Sequence, residues 1–204
     1  MSAQHSSRDI ESFLSAEAAE HRAAFEAFLP VLSAPFAATL AIWEEAIRRG
    51  GKLLLFGNGG SAGNAEHIAA ELAIRYKTDR AAIAAVALTA DSSSVTAAAN
   101  DLGFESVFSR LIEALGKPGD VAVGISTSGR SPNVLAGLRE AKARGLKTTG
   151  LAGGDGGPML ALCDAAVTVP SSITARIQEM HLLVSHMLCK ALEERLGFTV
   201  RGRA

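Results

Sequence analysis

From Lys52 onward the chain alternates short, unbroken apolar runs with stretches of helical periodicity, and few folds accept that pattern. The runs are KLLLF at 52–56, IAAVAL at 83–88, VAVGI at 121–125, TTGL at 148–151 and AVTV at 166–169, bounded mostly by Gly, Pro, Asp or Ser. Short continuous runs of this kind suit strands buried on both faces. Helices fit between them at 62–75, 92–115, 132–143 and about 158–162, and a long one at 176–196 closes the chain. The alternation predicts an α/β fold in which a five-stranded parallel sheet is sandwiched by helices in three layers. In such sheets ligands bind beyond the carboxyl ends of the strands, near the point where strand order reverses. The loops after the strands are therefore where chemistry is expected.

Two leading helices precede this region, one over 7–30 and one over 33–49, ended by Gly50-Gly51. Glu17 and His21 interrupt the apolar face of the first and receive no chemical role. The whole reads as a single domain over 1–204: N-terminal helices at 1–50, the sandwich with its closing helix at 51–197, and a frayed tail at 198–204. Lys and Arg total 20 against 21 Asp and Glu. That balance argues against nucleic acid held by bulk charge. The two cysteines, Cys163 and Cys189, form no disulfide framework and suit a reducing cytoplasm. No secretion signal is read at the start, no apolar run is read as long enough to span a membrane, and a cytoplasmic location is expected.

Three features stand out. The loop Gly57-Asn58-Gly59-Gly60-Ser61 follows the first strand and opens a helix. It matches the loose dinucleotide pattern G-x-G-x-x-A as well as a plain tight turn, and it lacks the Lys-Ser/Thr of a Walker loop. Ser126-Thr127-Ser128-Gly129-Arg130-Ser131 follows the third strand, just before Pro132. Four hydroxyls at a helix start exceed what capping needs and suit a phosphate dianion. Finally, His67 and Glu71 stand at i and i+4 on one helix, and the closing helix carries Gln178, His181 and His186. At about 100° per residue, Gln178 and His186 share a broad face, while His181 points about 140° from His186. Exposed or core histidines explain these positions as readily as a metal site; nitrogen and carboxylate donors would suit zinc, with Gln an uncommon ligand.

Taken together and in order, FGNGGSA, HIAAEL, ISTSGRSPN and ARIQEMHLLVSH resemble the SIS (sugar isomerase) domain family, and within it the phosphoheptose isomerases. The resemblance covers nearly the whole chain. It implies a flavodoxin-like five-stranded sheet, a cytoplasmic homotetramer and one zinc per subunit. The implied activity is conversion of sedoheptulose 7-phosphate to D-glycero-D-manno-heptose 7-phosphate through an enediol, the step that begins ADP-heptose synthesis for lipopolysaccharide. By the same resemblance Asn58, Gly59, Gly60, Asn100 and Asp101 would contact substrate, and Ser126, Thr127, Ser128 and Ser131 would hold its phosphate. His67, Glu71, Gln178 and His186 would ligate zinc, with Glu71 and Gln178 also touching substrate and with Glu71 and His186 as the acid/base pair. Two positions depart from the family: Asn64 and Ala175 stand where Asp is often found.

Two other readings compete. A non-catalytic relative that binds the replication initiator DnaA lacks the full metal set, whereas Glu71 and His186 are both present here. A nucleotide-dependent oxidoreductase would need an acid about 20 residues beyond the glycine loop. The candidate, Asp91, lies 34 residues beyond Gly57.

Overall fold

The computed structural model describes residues 7–77 and 79–198. A long helix α1 (Ser7–Arg48) leads into β1 (Leu53–Gly57), α2 (Gly60–Ala73), β2 (Ala85–Ala87), α3 (Ser92–Leu102), α4 (Val107–Leu115) and β3 (Val121–Ser126). Then come α5 (Pro132–Ala143), β4 (Lys147–Gly153), a 3-10 turn at Gly157–Leu162, β5 (Ala165–Val169) and α6 (Thr174–Arg195). The strands form one parallel sheet in the order β2-β1-β3-β4-β5. All five expected apolar runs are strands, and the order is that of a flavodoxin-like sandwich.

Period-2 alternation within the strands divides the core in two. Leu53 and Leu55 join Phe28, Trp43, Ile68, Leu72 and Val184 on the face covered by α1, α2 and α6. Leu54 and Phe56 face the other way, toward Phe108, Ile112, Val134 and Leu138 of α4 and α5. Because strand order reverses between β1 and β3, the loops after these two strands diverge and leave a crevice between them. The glycine loop and the hydroxyl loop are those two loops.

Three expectations are corrected in detail. The two leading helices are one continuous helix, with Pro30 and Pro35 inside it. An interior proline loses a hydrogen bond and crowds the preceding turn, yet Phe28 and Leu32 on one side of Pro35, and Leu40 and Trp43 on the other, bury into one core and carry the helix through. Trp43 Nε1 also donates to Thr149 Oγ1 of β4 at 3.0 Å. The segment 27–43 holds no charged residue, and α1 is long and apolar enough to cross a bilayer by length and composition, against the expectation that no apolar run reaches that length. Second, the expected helix at 92–115 is broken at Gly103, where φ is +85° and a 3-10 turn, Phe104–Ser106, intervenes before α4. Third, the tail expected to begin at 198 is docked there: the Phe198 ring lies 5.7 Å from the Arg80 guanidinium. Residues 199–204 lie outside the described residues.

Candidate active site

The glycine loop is shaped by close approach. Gly59 has φ +55°, and a Cβ on Gly60 would come within 2.5 Å of the Gln178 side-chain amide. Gln178 of α6 thus rests on the backbone where α2 begins. Asn64, one turn into α2, donates from Nδ2 to the Gln178 main-chain oxygen at 3.3 Å. A carboxylate at this position could not donate that bond, so the departure from Asp becomes a tie between α2 and α6.

The hydroxyl loop folds back on itself. Ser126 and Ser131 hydroxyls pair at 3.0 Å, and Ser128 Oγ accepts from Arg130 N at 3.2 Å. Ser131 sits at the N-cap of α5 without a side-chain capping bond. Gly129, with φ +63°, lies so close to the next loop that a Cβ there would meet Gly156 O at 2.0 Å. Reciprocally, a Cβ on Gly157 would lie 2.8 Å from Gly129 O. The two loops of the crevice are joined through Asn58 and Asn133, whose amides exchange two hydrogen bonds of 2.8 Å each.

Two turns along α2 from Gly60, about 10 Å, three side chains from two helices converge. His67 Nε2 faces His186 Nε2 at 2.8 Å, so only one of these nitrogens can carry a proton there. His67 Nε2 lies 3.4 Å from Glu71 Oε1, and one donor atom from each of the three residues lies within 4.8 Å of the others. Two imidazole nitrogens and a carboxylate oxygen form a donor set suited to a divalent cation. The Tyr76 ring stacks on His186, with centroids 5.3 Å apart and planes 22° from parallel. Burial holds His186 below its ordinary pKa, helped by His67 and Lys77 and opposed by Glu71. At neutral pH it is therefore an uncharged imidazole, able to ligate or to act as a neutral donor.

The SIS domain family profile matches residues 18–153. A phosphoheptose isomerase of Paramagnetospirillum magneticum is 52% identical over 182 residues, covering 89% of this chain and 95% of that one. Phosphoheptose isomerase 1 of Campylobacter jejuni is 55% identical over 150 residues, 74% of this chain and 81% of its own. The phosphoheptose isomerase structure from Neisseria gonorrhoeae superposes with a TM-score of 0.85 at 39% identity, covering 91% of this chain and 99% of that one. The chain belongs to the phosphoheptose isomerase family of SIS domain proteins.

Of the ligand set that family membership led us to expect, the structure draws His67, Glu71 and His186 together and seats Gln178 on the glycine loop. His181 turns away, as its helical angle required: it is fully buried and its Nε2 donates to Ala152 O at 2.9 Å. Asn100 and Asp101 bond each other at 2.7 Å on the exposed end of α3; nothing among the described contacts of this single chain ties them to the triad. Asp91 caps α3, accepting from Ser93 N and Ser94 N, so the acid a nucleotide ribose would need is already engaged. Glu17 and His21 bind α6, through Arg176 and Glu179 respectively. Sequence reasoning missed Asn133, Tyr76, Arg80 and Glu193. The SPN triplet held the only local signal, for Asn133; the other three act through partners far away in the chain.

Proposed function

We propose that this chain is the aldose–ketose isomerase that converts sedoheptulose 7-phosphate to D-glycero-D-manno-heptose 7-phosphate, opening ADP-heptose synthesis for lipopolysaccharide. The observation that carries the reading is the convergence of His67, Glu71 and His186 in a chain so similar to phosphoheptose isomerases along nearly its full length.

Ser126, Thr127, Ser128 and Ser131 grip the phosphate at the start of α5, where hydroxyls and the helix N-terminus favour an anion. Asn58, Gly59, Gly60, Asn100, Asp101 and Gln178 line the sugar. Remote binding of this kind holds the reacting carbons in place. Glu71 takes a proton from C1 of the ketose while His186 gives one to the C2 oxygen, producing the enediol. Return of a proton to C2 and loss of the O1 proton complete the aldose, so no proton or electron is gained or lost overall. His67, Glu71, Gln178 and His186 would hold one zinc per subunit, which when bound supplies Lewis-acid polarisation of the sugar oxygens.

The chain is read as one domain over 1–204, since α1 shares its core with α2 and α6, and as a homotetramer. Phe13, Leu14, Leu29 and Val31 expose apolar surface along α1 that self-association would cover. Its place is the cytoplasm, where the free thiols Cys163 and Cys189 stay reduced.

The test is an isomerase assay on sedoheptulose 7-phosphate before and after chelation, with zinc restored, alongside sedimentation. Turnover that falls on chelation and returns with zinc is expected, from a tetramer. Zinc-loaded folded protein without turnover would defeat the reading and favour a non-catalytic binding role.

A further inference from the structure

Behind the triad lies an ion pair buried on both sides. Arg80 Nε meets Glu193 Oε1 at 2.7 Å, with 1% of the arginine and 3% of the glutamate side chain exposed. Its other contacts show what it holds. Arg80 Nη2 donates to Glu71 O and Nη1 to Leu72 O, each at 2.9 Å. These are carbonyls of the last turn of α2, where a cation and hydrogen-bond donors are favourable. Glu193 stands seven residues beyond His186 on α6, two turns along the same face, and its Oε1 also accepts from Tyr76 N at 3.3 Å. Tyr76 in turn stacks on His186.

One guanidinium therefore grips the main chain of Glu71 and the helix of His186 at once. Arginine suits this task because its planar fork presents several donors in fixed directions. We propose that Arg80 and Glu193 are positioning residues, which set the distance and orientation of Glu71 against His186 and so tune metal binding and proton transfer without touching substrate. The proposal rests on the isomerase reading above.

Arg80→Lys keeps the charge but loses the fork, and Glu193→Gln keeps the shape but loses the charge. Lys52→Met is the control. It breaks another inward-facing pair, Lys52–Asp120, in which Asp120 is fully buried and which joins the chain before β1 to the chain before β3. Zinc affinity of the metal-free protein is measured by competition with a chromogenic chelator, together with kcat, KM and melting temperature. Arg80→Lys and Glu193→Gln are expected to weaken zinc binding about 10- to 100-fold and to lower kcat per folded molecule, with KM unchanged. Lys52→Met is expected to lower only the melting temperature. Zinc affinity and kcat within about twofold of wild type in both site variants, or equal losses in the control, would overturn the proposal. Recovery of both site variants only as unfolded protein would also overturn it, assigning the pair to the fold. A zinc-loaded wild type without turnover defeats the isomerase reading instead, and the two failures are thereby told apart.

Discussion

Asn58 and Asn133 clasp each other by two amide hydrogen bonds of 2.8 Å, across 75 residues of sequence. The clasp bridges the point where strand order reverses, and Asn133 is buried with its Oδ1 also accepting from Val134 N. Asn133→Asp removes the donor to Asn58 and sets oxygen against oxygen. The expected cost is about 1–3 kcal/mol in urea unfolding, with a higher KM because the glycine and hydroxyl loops no longer share one register. Unchanged stability and KM would show that the clasp is dispensable.

The hydroxyl loop offers a test of binding. A hydrogen bond to a charged group contributes roughly 1.5–3 kcal/mol. Ser128→Ala with Ser131→Ala should therefore raise KM at least tenfold or so, with a modest fall in melting temperature from the lost Ser126–Ser131 and Arg130–Ser128 bonds. A double variant with wild-type KM and kcat would remove the phosphate from this loop.

For the proposed acid/base pair, Glu71→Gln and His186→Gln should each keep the fold and lower turnover by about 10²–10⁴-fold. The double variant should lose little more than the worse single one, since groups acting as one unit fail together. Folded single variants retaining above about a tenth of wild-type rate would contradict that range and the mechanism with it.

His181 predicts a pH dependence of stability. Burial pushes its pKa down to about 4, against its bond to Ala152. The unfolded chain takes up a proton near pH 6.5, whereas the native chain resists until about 4. Stability is thus unaffected above pH 6.5 and falls as pH drops through this window, by about 2 kcal/mol at pH 5. Urea unfolding at pH 7 and pH 5 should show a shallower loss in His181→Gln than in wild type; parallel losses would exclude His181 as the source.

What the sequence disclosed follows from how local each signal is. Five buried strands announce themselves because each is a continuous apolar run between turn residues, and Pro132 marks the start of α5 where it was expected. His67 and Glu71 are legible because one helix sets their spacing, and His181 could be set aside by angle alone. The continuity of α1 was hidden because proline is a local breaker, while the burial of Phe28 and Trp43 that overrides it is tertiary. Gly103 was overlooked inside a stretch of good periodicity. Arg80 and Glu193 are 113 residues apart, each an ordinary charged residue in its own neighbourhood; only folding reveals that they meet.

The glycines of the hydroxyl loop and of the loop after β4 fit together like two interlocked links. With Gly156 O only 2.0 Å from where a Cβ of Gly129 would stand, neither link can gain a side chain unless the other gives way. Residues 154–157 lie outside the hydroxyl loop, yet they set the mould in which its backbone is cast. A side chain gained at residue 129 or 157 would thus have to be met by backbone movement in the other loop.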